Sequence, residues 1–137
     1  MRTYFDVAKS ETLERIAREI LTQGGITVNW KNTRMERPGS ADRFIVGIGS
    51  PFEERYWIGN DPTWERIARC VNEYVGNVLL LGKLQEPGFW LGAWADNGTL
   101  YLDVCRCYLD RSDAMRAAKR AGQIAYYDAE TDEAIAV

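Results

Sequence analysis

A predicted β-hairpin in the second half of the chain brings together the residues best suited to chemistry. The dipeptide Asn97-Gly98 separates two strand-like segments, Phe89 to Ala95 and Leu100 to Tyr108. Both residues tolerate positive φ, so the pair predicts a type I′ turn, which sets the pairing of the two strands residue by residue. One face of the hairpin is then aliphatic and is expected to lie on the core. The other face carries Trp90, Trp94, Tyr101, Asp103, Cys105 and Cys107.

Asp103 is the most informative residue of this second face. The predicted register places it opposite Gly92, which leaves a gap directly over the carboxylate. Aromatic side chains around a carboxylate suit a small polar ligand or a basic side chain of a partner. The alternative is a structural role, in which a helix covers the face and backbone N–H groups or an arginine satisfy Asp103. Helix-covered sheets are the commoner arrangement in small α+β domains, so the sequence favours the structural role.

The composition removes several kinds of catalysis. The chain contains no histidine, which excludes Ser-His-Asp and Cys-His catalysis, zinc sites with histidine ligands and histidine pH switches. Cys105 and Cys107 have one residue between them, whereas redox pairs usually have two at the start of a helix. A metal site would need Cys70 and carboxylates as further ligands. We therefore expect packing roles for the cysteines, with no metal and no cofactor.

Paired carboxylates are the remaining catalytic pattern. Glu53-Glu54, or Asp103 together with Glu133, would supply the acid and base of a glycosidase. However, a chain of 137 residues with 20 acidic residues offers such pairs by chance. No catalytic residue is identified, and these observations weigh against an enzyme.

Three helices are predicted from apolar residues spaced three and four apart and from their capping residues. Serine or aspartate stands at each predicted N-cap, and glycine follows each predicted helix. The predicted bounds, from cap to terminating glycine, are Ser10 to Gly24, Asp61 to Gly76 and Asp110 to Gly122.

The predicted strands are joined mostly by short turns, which indicates a largely antiparallel sheet of about six to eight strands. The segment Val78 to Leu81 is either a buried strand or packed loop. The order α-β-β-β-α-(β)-β-β-α-β-β then gives a single α+β domain over residues 1–137. Besides the hairpin, the predicted strands are Ile26 to Trp30, Phe44 to Ile48, Arg55 to Ile58, Ile124 to Tyr127 and Glu133 to Ala136.

Charge and hydropathy limit the expected partners. The net charge is −3, from 17 basic and 20 acidic residues, which argues against direct nucleic-acid binding. The longest aliphatic run, Val78 to Leu81, is far shorter than the roughly 20 residues of a membrane span. The first residues resemble no secretory signal, so we expect a cytoplasmic protein with reduced thiols. The oligomeric state is left open.

Two segments carry an excess of one charge. The loop from Lys31 to Arg43 is mildly basic, and we expect it to be solvated or to contact an acidic partner. The tail from Asp128 to Val137 is acidic, and we expect it to form a solubilising edge that discourages pairing with strands of other molecules.

A resemblance to other proteins rests on short motifs between Gly24 and the C-terminus. These are the segment from Gly24 to Asn29, the strand from Phe44 to Gly47, the block from Tyr101 to Val104, and the segment from Gly122 to Asp128 after an alanine-rich helix. In these motifs the chain resembles a group of small uncharacterised proteins from actinobacteria and their phages. It departs from that group at Cys105, where a small hydroxyl residue is more usual. The resemblance implies an accessory protein of a mobile element and carries over no catalytic residue.

Three functions are weighed, and an interaction protein is preferred. Five tryptophans and seven tyrosines are a large number for this length, and both residue types are enriched in binding hot spots. The preferred function is a non-enzymatic phage or mobile-element protein that binds and modulates a host macromolecule, for example in counter-defence, with Trp57 and Trp94 as contact residues. The alternative is a binding protein or enzyme for a nucleotide or sugar that uses Trp90, Trp94, Tyr101 and Asp103. A nucleic-acid mimic ranks third, because only the C-terminal segment clusters acidic residues.

Overall fold

The computed structural model describes residues 4–29 and 42–137, with the backbone alone for helix residues 4–9 and 78–81. In this part of the chain it contains three helices, α1 (Tyr4–Gln23), α2 (Trp64–Leu81) and α3 (Arg111–Arg120). The described strands are β1 (Gly25–Val28), β2 (Phe44–Gly47), β3 (Glu54–Trp57), β4 (Phe89–Asp96), β5 (Thr99–Tyr108), β6 (Ala125–Asp128) and β7 (Glu133–Ala136). The predicted α+β class and order of elements are confirmed.

All seven strands form one antiparallel sheet with β5 at its centre. The strand order is β1-β4-β5-β2-β6-β7, and β3 also pairs with β5. Strand β4 lies along one edge of β5. On the other edge β3 pairs with Thr99 to Leu102, and β2 pairs with Cys105 to Tyr108. Two short strands therefore lie end to end beside the central strand, and Asp103 and Val104 fall between them.

The main core lies between this sheet and helices α1 and α2. The aliphatic residues of the hairpin strands occupy every second position and face the helices, as the hairpin register predicts. The same core continues into β1 through Ile26 and Val28. Its fully buried helix and hairpin members include Ile16, Ile20, Ile67, Val71, Tyr74, Leu91, Leu100, Leu102 and Val104.

Helix α3 packs on the same face of the sheet. Its buried residues Ala114 and Ala118 form a second apolar cluster with Phe44, Val46 and Tyr126. Residues directly opposite on paired strands share a face, and Phe44 and Val46 lie opposite Tyr108 and Arg106 of β5. Side chains alternate between the two faces along a strand, so Arg106 and Tyr108 lie on the same face of β5 as the core residues Leu100 and Leu102. The three helices consequently form one layer on one side of the sheet.

Two predicted helix starts are wrong, and one is confirmed. Helix α1 begins at Tyr4 rather than after Ser10, because residues 4–9 contain no glycine or proline that would stop it. Helix α2 is capped by Thr63 rather than Asp61: the Thr63 hydroxyl accepts the backbone N–H of Arg66 at 3.2 Å. Asp110 caps α3 as predicted, since its carboxylate accepts the Ser112 N–H at 2.7 Å.

The second helix also continues beyond its predicted end at Gly76. It reaches Leu81, so the segment 78–81 is neither a strand nor a loop. A glycine inside a helix costs only about 1 kcal/mol relative to alanine. The preceding turn is fixed in the core by Tyr74 and Val75, and this packing outweighs that cost. The chain instead turns at Gly82, which has a φ of 73°.

The predicted strand bounds agree with the structure to within one or two residues. The largest difference is at the strand predicted to end at Trp30, since β1 ends at Val28. Trp30 itself lies outside the described residues. Most of the predicted loop from Lys31 to Arg43 also lies outside them. None of the described helices is long and apolar enough to span a membrane.

Candidate binding face

The predicted hairpin register is confirmed at every position. Asp96 pairs with Thr99, and the ladder continues to Phe89 opposite Arg106. Asn97 and Gly98 have φ values of 49° and 81°, as a type I′ turn requires. The turn chemistry therefore determines which side chains of β4 and β5 share a face.

The face opposite the helices gathers the residues singled out in the sequence, and we call these the aromatic face: Trp57, Trp90, Trp94, Tyr101 and Asp103. Trp94 lies opposite Tyr101, and Trp90 lies opposite Cys105. The prediction that a helix covers this face is wrong, because α1 and α2 pack into the core on the other side of the sheet. No helix of the described chain packs on it.

A stacked row of side chains crosses the sheet near the hairpin turn. The rings of Trp94 and Tyr101 are stacked, with 4.4 Å between centroids and 14° between planes. The guanidinium of Arg55 lies over the Tyr101 ring, 5.5 Å from its centroid. On the outer side of Trp94 is Gly25 of β1, where a Cβ would come within 3.1 Å of the Trp94 Cβ. Trp94 remains 50% exposed, so this row has an accessible aromatic surface.

Trp57 extends the aromatic face to the turn itself. It lies opposite Thr99 at the end of β3, and its side chain is 62% exposed. Its ring covers Gly98, where a Cβ would approach the ring carbons to 2.7 Å. The backbone carbonyl of Trp57 accepts a hydrogen bond from the Arg66 guanidinium at 2.8 Å. Helix α2 thus fixes the backbone that presents Trp57.

Asp103 lies over two glycines, one on each neighbouring strand. A Cβ on Gly92 would lie 2.2 Å from its Oδ1 atom, and a Cβ on Gly47 would lie 2.6 Å from its Oδ2 atom. Any larger residue at either position would displace the carboxylate. The sequence predicted the Gly92 gap; the Gly47 gap comes from the pairing of β2 with β5.

The Asp103 carboxylate forms no hydrogen bond or ion pair with another described residue. We call Asp103 together with Gly92 and Gly47 the Asp103 notch. Burial there raises the pKa of Asp103 to about 6, and the charge of Glu53 adds to the increase. A carboxylate held in this way ionises near neutral pH and keeps acceptor capacity for an incoming donor.

Two residues near Asp103 were missed as site residues of this face. Glu53 immediately precedes β3, so continuing the β3–β5 register by one residue places it opposite Asp103. Gln123 approaches from the other side: its Oε1 lies 3.5 Å from the position of a Cβ on Gly47. No sequence pattern indicated Gln123, because its approach depends on the pairing of β6 with β2. The sequence indicates Glu53 only as one half of the Glu53-Glu54 pair.

The other predicted carboxylate pair does not form. Strand β7, which carries Glu133, is separated from β5 by β2 and β6. Glu133 pairs with Asp128, and Asp128 pairs with Phe44, which faces the helix layer. Glu133 and Asp103 therefore lie on opposite faces of the sheet.

The cysteines have the properties of packed thiols. Cys105 is buried, and its Sγ donates to the Trp90 carbonyl at 3.5 Å. Burial raises the thiol pKa of Cys105 well above its usual value and that of Cys107 to about 12. Thiols in this state are poor nucleophiles and poor metal ligands at neutral pH. Within the described residues, no three cysteine or acidic side chains are grouped as metal ligands.

The acidic tail and the basic loop meet in an ion pair on the helix side of the sheet. Arg43 donates to both carboxylate oxygens of buried Asp128 at 2.8 Å, and it also contacts Glu130 at 3.0 Å. The hydrogen bonds from Arg43 hold the pKa of Asp128 well below its usual range. The Arg43 guanidinium lies 4.8 Å from the centroid of the Phe44 ring. Arg43 precedes β2 and Asp128 ends β6, so this ion pair holds the two strands together and has a structural role.

The stacked row and the Asp103 notch adjoin on one face of the sheet. The chain matches no protein-family model, no curated protein and no solved structure.

Proposed function

We propose that this chain is a non-enzymatic binding protein that engages a host protein through its aromatic face. The observation that carries the proposal is the exposed Trp94–Tyr101 stack on the side of the sheet away from the three helices. Tryptophan and tyrosine bury a large area at a small entropy cost, and for this reason they dominate binding hot spots.

The geometry supports a preorganised surface. Trp94 is held by Tyr101 on one side and has Gly25 of β1 on the other, while Trp57 rests on the hairpin turn. Rigid aromatic side chains lose little freedom when a partner covers them, so more of the contact energy appears as affinity. The patch continues into the polar notch at Asp103, and polar groups beside an apolar centre provide specificity.

The biological setting is part of the same proposal. We place the protein among accessory proteins of phages or other mobile elements, acting in the host cytoplasm, with a host defence system as one target class. The short motifs between Gly24 and the C-terminus support the mobile-element setting. The three cysteines, which are all free, fit a reducing compartment such as the cytoplasm.

The test is affinity capture from a lysate of the native host, with Trp94→Ala compared with wild type. Leu109→Ala is the matched control, because Leu109 is 68% exposed and precedes α3, away from the hairpin turn. We expect a stoichiometric host protein with wild type and Leu109→Ala, and its loss with Trp94→Ala while circular dichroism shows a folded chain. Retention of the partner by Trp94→Ala, or an empty wild-type bait, would contradict the proposal.

A second candidate is a binding protein or enzyme for a small ligand such as a nucleotide or sugar, and the Asp103 notch favours it. A carboxylate beside Trp90 and Tyr101 has the polar and aromatic groups that bind sugars and bases. Thermal-shift screening of nucleotides and sugars separates the two functions. A ligand that stabilises wild type but not Asp103→Asn would support this candidate over the first.

A further inference from the structure

We propose that the Asp103 notch binds the guanidinium group of an arginine side chain on the protein partner. This inference rests on the proposed function, since it names the group of the partner that the aromatic face recognises.

The shape of the notch is the first reason. Neither Gly92 nor Gly47 has a side chain, and the Asp103 carboxylate occupies the space over both: a Cβ would lie 2.2 Å from its Oδ1 atom at Gly92 and 2.6 Å from its Oδ2 atom at Gly47. Trp90 and Trp94 lie two residues to either side of Gly92 on the same face of β4. The β4 residue opposite the carboxylate therefore has no side chain that covers it, and aromatic residues flank that position on both sides. A long side chain that ends in a planar group can approach the carboxylate between them.

The charge of the notch is the second reason. Glu53 continues the register of β3 to a position opposite Asp103, and like charges at such positions destabilise a sheet. Neither carboxylate forms an ion pair with a described residue. A cation entering between them would relieve the repulsion and supply the missing donors. An anionic ligand such as a phosphate would add to the repulsion.

Ring chemistry distinguishes guanidinium from ammonium. The Arg55 guanidinium lies over the Tyr101 ring, 5.5 Å from its centroid, so a guanidinium already packs on an aromatic ring of this face. A guanidinium is planar, weakly hydrated and able to donate two parallel hydrogen bonds to one carboxylate. An ammonium is a compact, strongly hydrated point charge that uses fewer features of the site. We therefore expect arginine to bind more tightly than lysine.

The experiment titrates N-acetylarginine amide into ¹⁵N-labelled protein and follows backbone and tryptophan indole signals. The neutral isostere N-acetylcitrulline amide is the control ligand. We expect saturable shifts at Gly92, Asp103 and the Trp94 indole, with binding by citrulline weaker by roughly tenfold or more. Equal shifts with both ligands, or shifts that do not saturate, would overturn the inference.

Variants locate the binding to the notch. Asp103→Asn is expected to weaken arginine binding by roughly tenfold, since it removes the charge that accepts two hydrogen bonds. Asp96→Asn is the matched control, because Asp96 is an exposed carboxylate on the same face of β4 near the turn. Glu53→Gln changes an exposed residue and is expected to weaken binding by a few-fold. Wild-type affinity for arginine in both the Asp103→Asn and the Glu53→Gln proteins would overturn the inference.

Partner capture separates this inference from the proposed function. If Asp103→Asn keeps the host protein and Trp94→Ala loses it, the guanidinium inference fails and the proposed function stands. If Trp94→Ala keeps the partner, the proposed function itself fails.

Discussion

The Oδ1 atom of Asp103 occupies the space that a side chain on Gly92 would need. A Cβ built on Gly92 would lie only 2.2 Å from that oxygen, whereas the Cys105 Sγ would lie at 3.4 Å, an ordinary contact. The backbone of Gly92 does not adopt positive φ, so alanine suits its conformation. The carboxylate is consequently the feature that keeps position 92 a glycine, and the two residues form a unit.

A double-mutant cycle tests this coupling. Gly92→Ala alone is expected to destabilise the protein by about 1–3 kcal/mol, because the added methyl group overpacks the notch. In an Asp103→Ala background the same change is expected to lose most of its effect, which gives a coupling energy of about 1 kcal/mol or more. Urea denaturation of the four proteins measures it. An equal effect of Gly92→Ala in both backgrounds would show that something other than the carboxylate fills the space.

Asp103→Asn should change stability in a pH-dependent manner. Burial raises the folded-state pKa of Asp103 to about 6, while in the unfolded chain it is near the ordinary value of about 3.9. Between these values the unfolded chain has released its proton and the folded chain has kept it, so wild type loses stability as pH rises from about 4 to about 6.

Asparagine stays neutral at every pH and avoids this loss. We expect Asp103→Asn to be more stable than wild type at pH 7.5 by on the order of 1–2 kcal/mol, a value reduced for the partial exposure of the residue. Below pH 4 the two proteins should have the same stability. Chemical denaturation across this range is the measurement, and a less stable Asp103→Asn protein at pH 7.5 would mean that the ionised carboxylate has a structural role.

Gly76→Ala should stabilise the protein by about 0.5–1 kcal/mol, because it removes the glycine from the interior of α2. A Cβ at this position meets no atom within 4 Å, and the φ angle is not positive. Gly82→Ala is the matched control: it also has open space, but its φ is 73°. Thermal melting should therefore show a gain for Gly76→Ala and a loss for Gly82→Ala, and a loss for both would contradict the continuous helix.

The ion pair between Arg43 and Asp128 is expected to support the pairing of β2 with β6. Asp128→Asn removes the buried charge and leaves Arg43 without its bidentate partner, so the melting temperature should fall by roughly 5 °C or more at pH 7. Glu130→Gln is the control, since Glu130 is an exposed partner of the same arginine and should have little effect.

The pH dependence of this pair has the opposite sign to that of Asp103. The pKa of Asp128 is lowered by hydrogen bonds from Arg43, so its stabilisation is complete above the unfolded-state value and disappears as pH falls below about 4. The difference between wild type and Asp128→Asn should shrink on acidification. A constant difference down to about pH 2 would indicate that packing, rather than charge, is what the substitution disturbs.

The hairpin was the part of the fold most open to prediction from sequence. Its turn is two residues long, and Asn97-Gly98 strongly favours type I′, which sets every pair from Asp96 with Thr99 to Phe89 with Arg106. The placement of Trp90, Trp94 and Asp103 on one face followed from that single local signal. The α+β order followed in the same way from periodicity and caps.

The rest of the site depends on contacts between distant segments. Gly47 lies beside Asp103 only because β2 pairs with β5, and Gln123 lies near Gly47 only because β6 pairs with β2. No local pattern specifies those pairings. Arg43 and Asp128 are 85 positions apart. Their charges were interpreted as solvated because an isolated segment gives no indication of a partner elsewhere.

The predicted end of α2 at Gly76 is wrong for a different reason. Gly76 ends a helix only when little else stabilises the helix around it, and here the core residues Tyr74 and Val75 anchor the turn before it. Local propensity is a weak preference that tertiary packing overrides.

Strand β5 is paired along one edge by β4 and along the other by β3 and then β2. An amide proton in such a strand exchanges with deuterium mainly when the whole domain opens, whereas the edge strands β1 and β7 fray locally. We expect β5 to exchange most slowly, and Tyr101 and Asp103 belong to it. We therefore expect a partner to meet a surface that is already in its binding conformation, with little rearrangement on association.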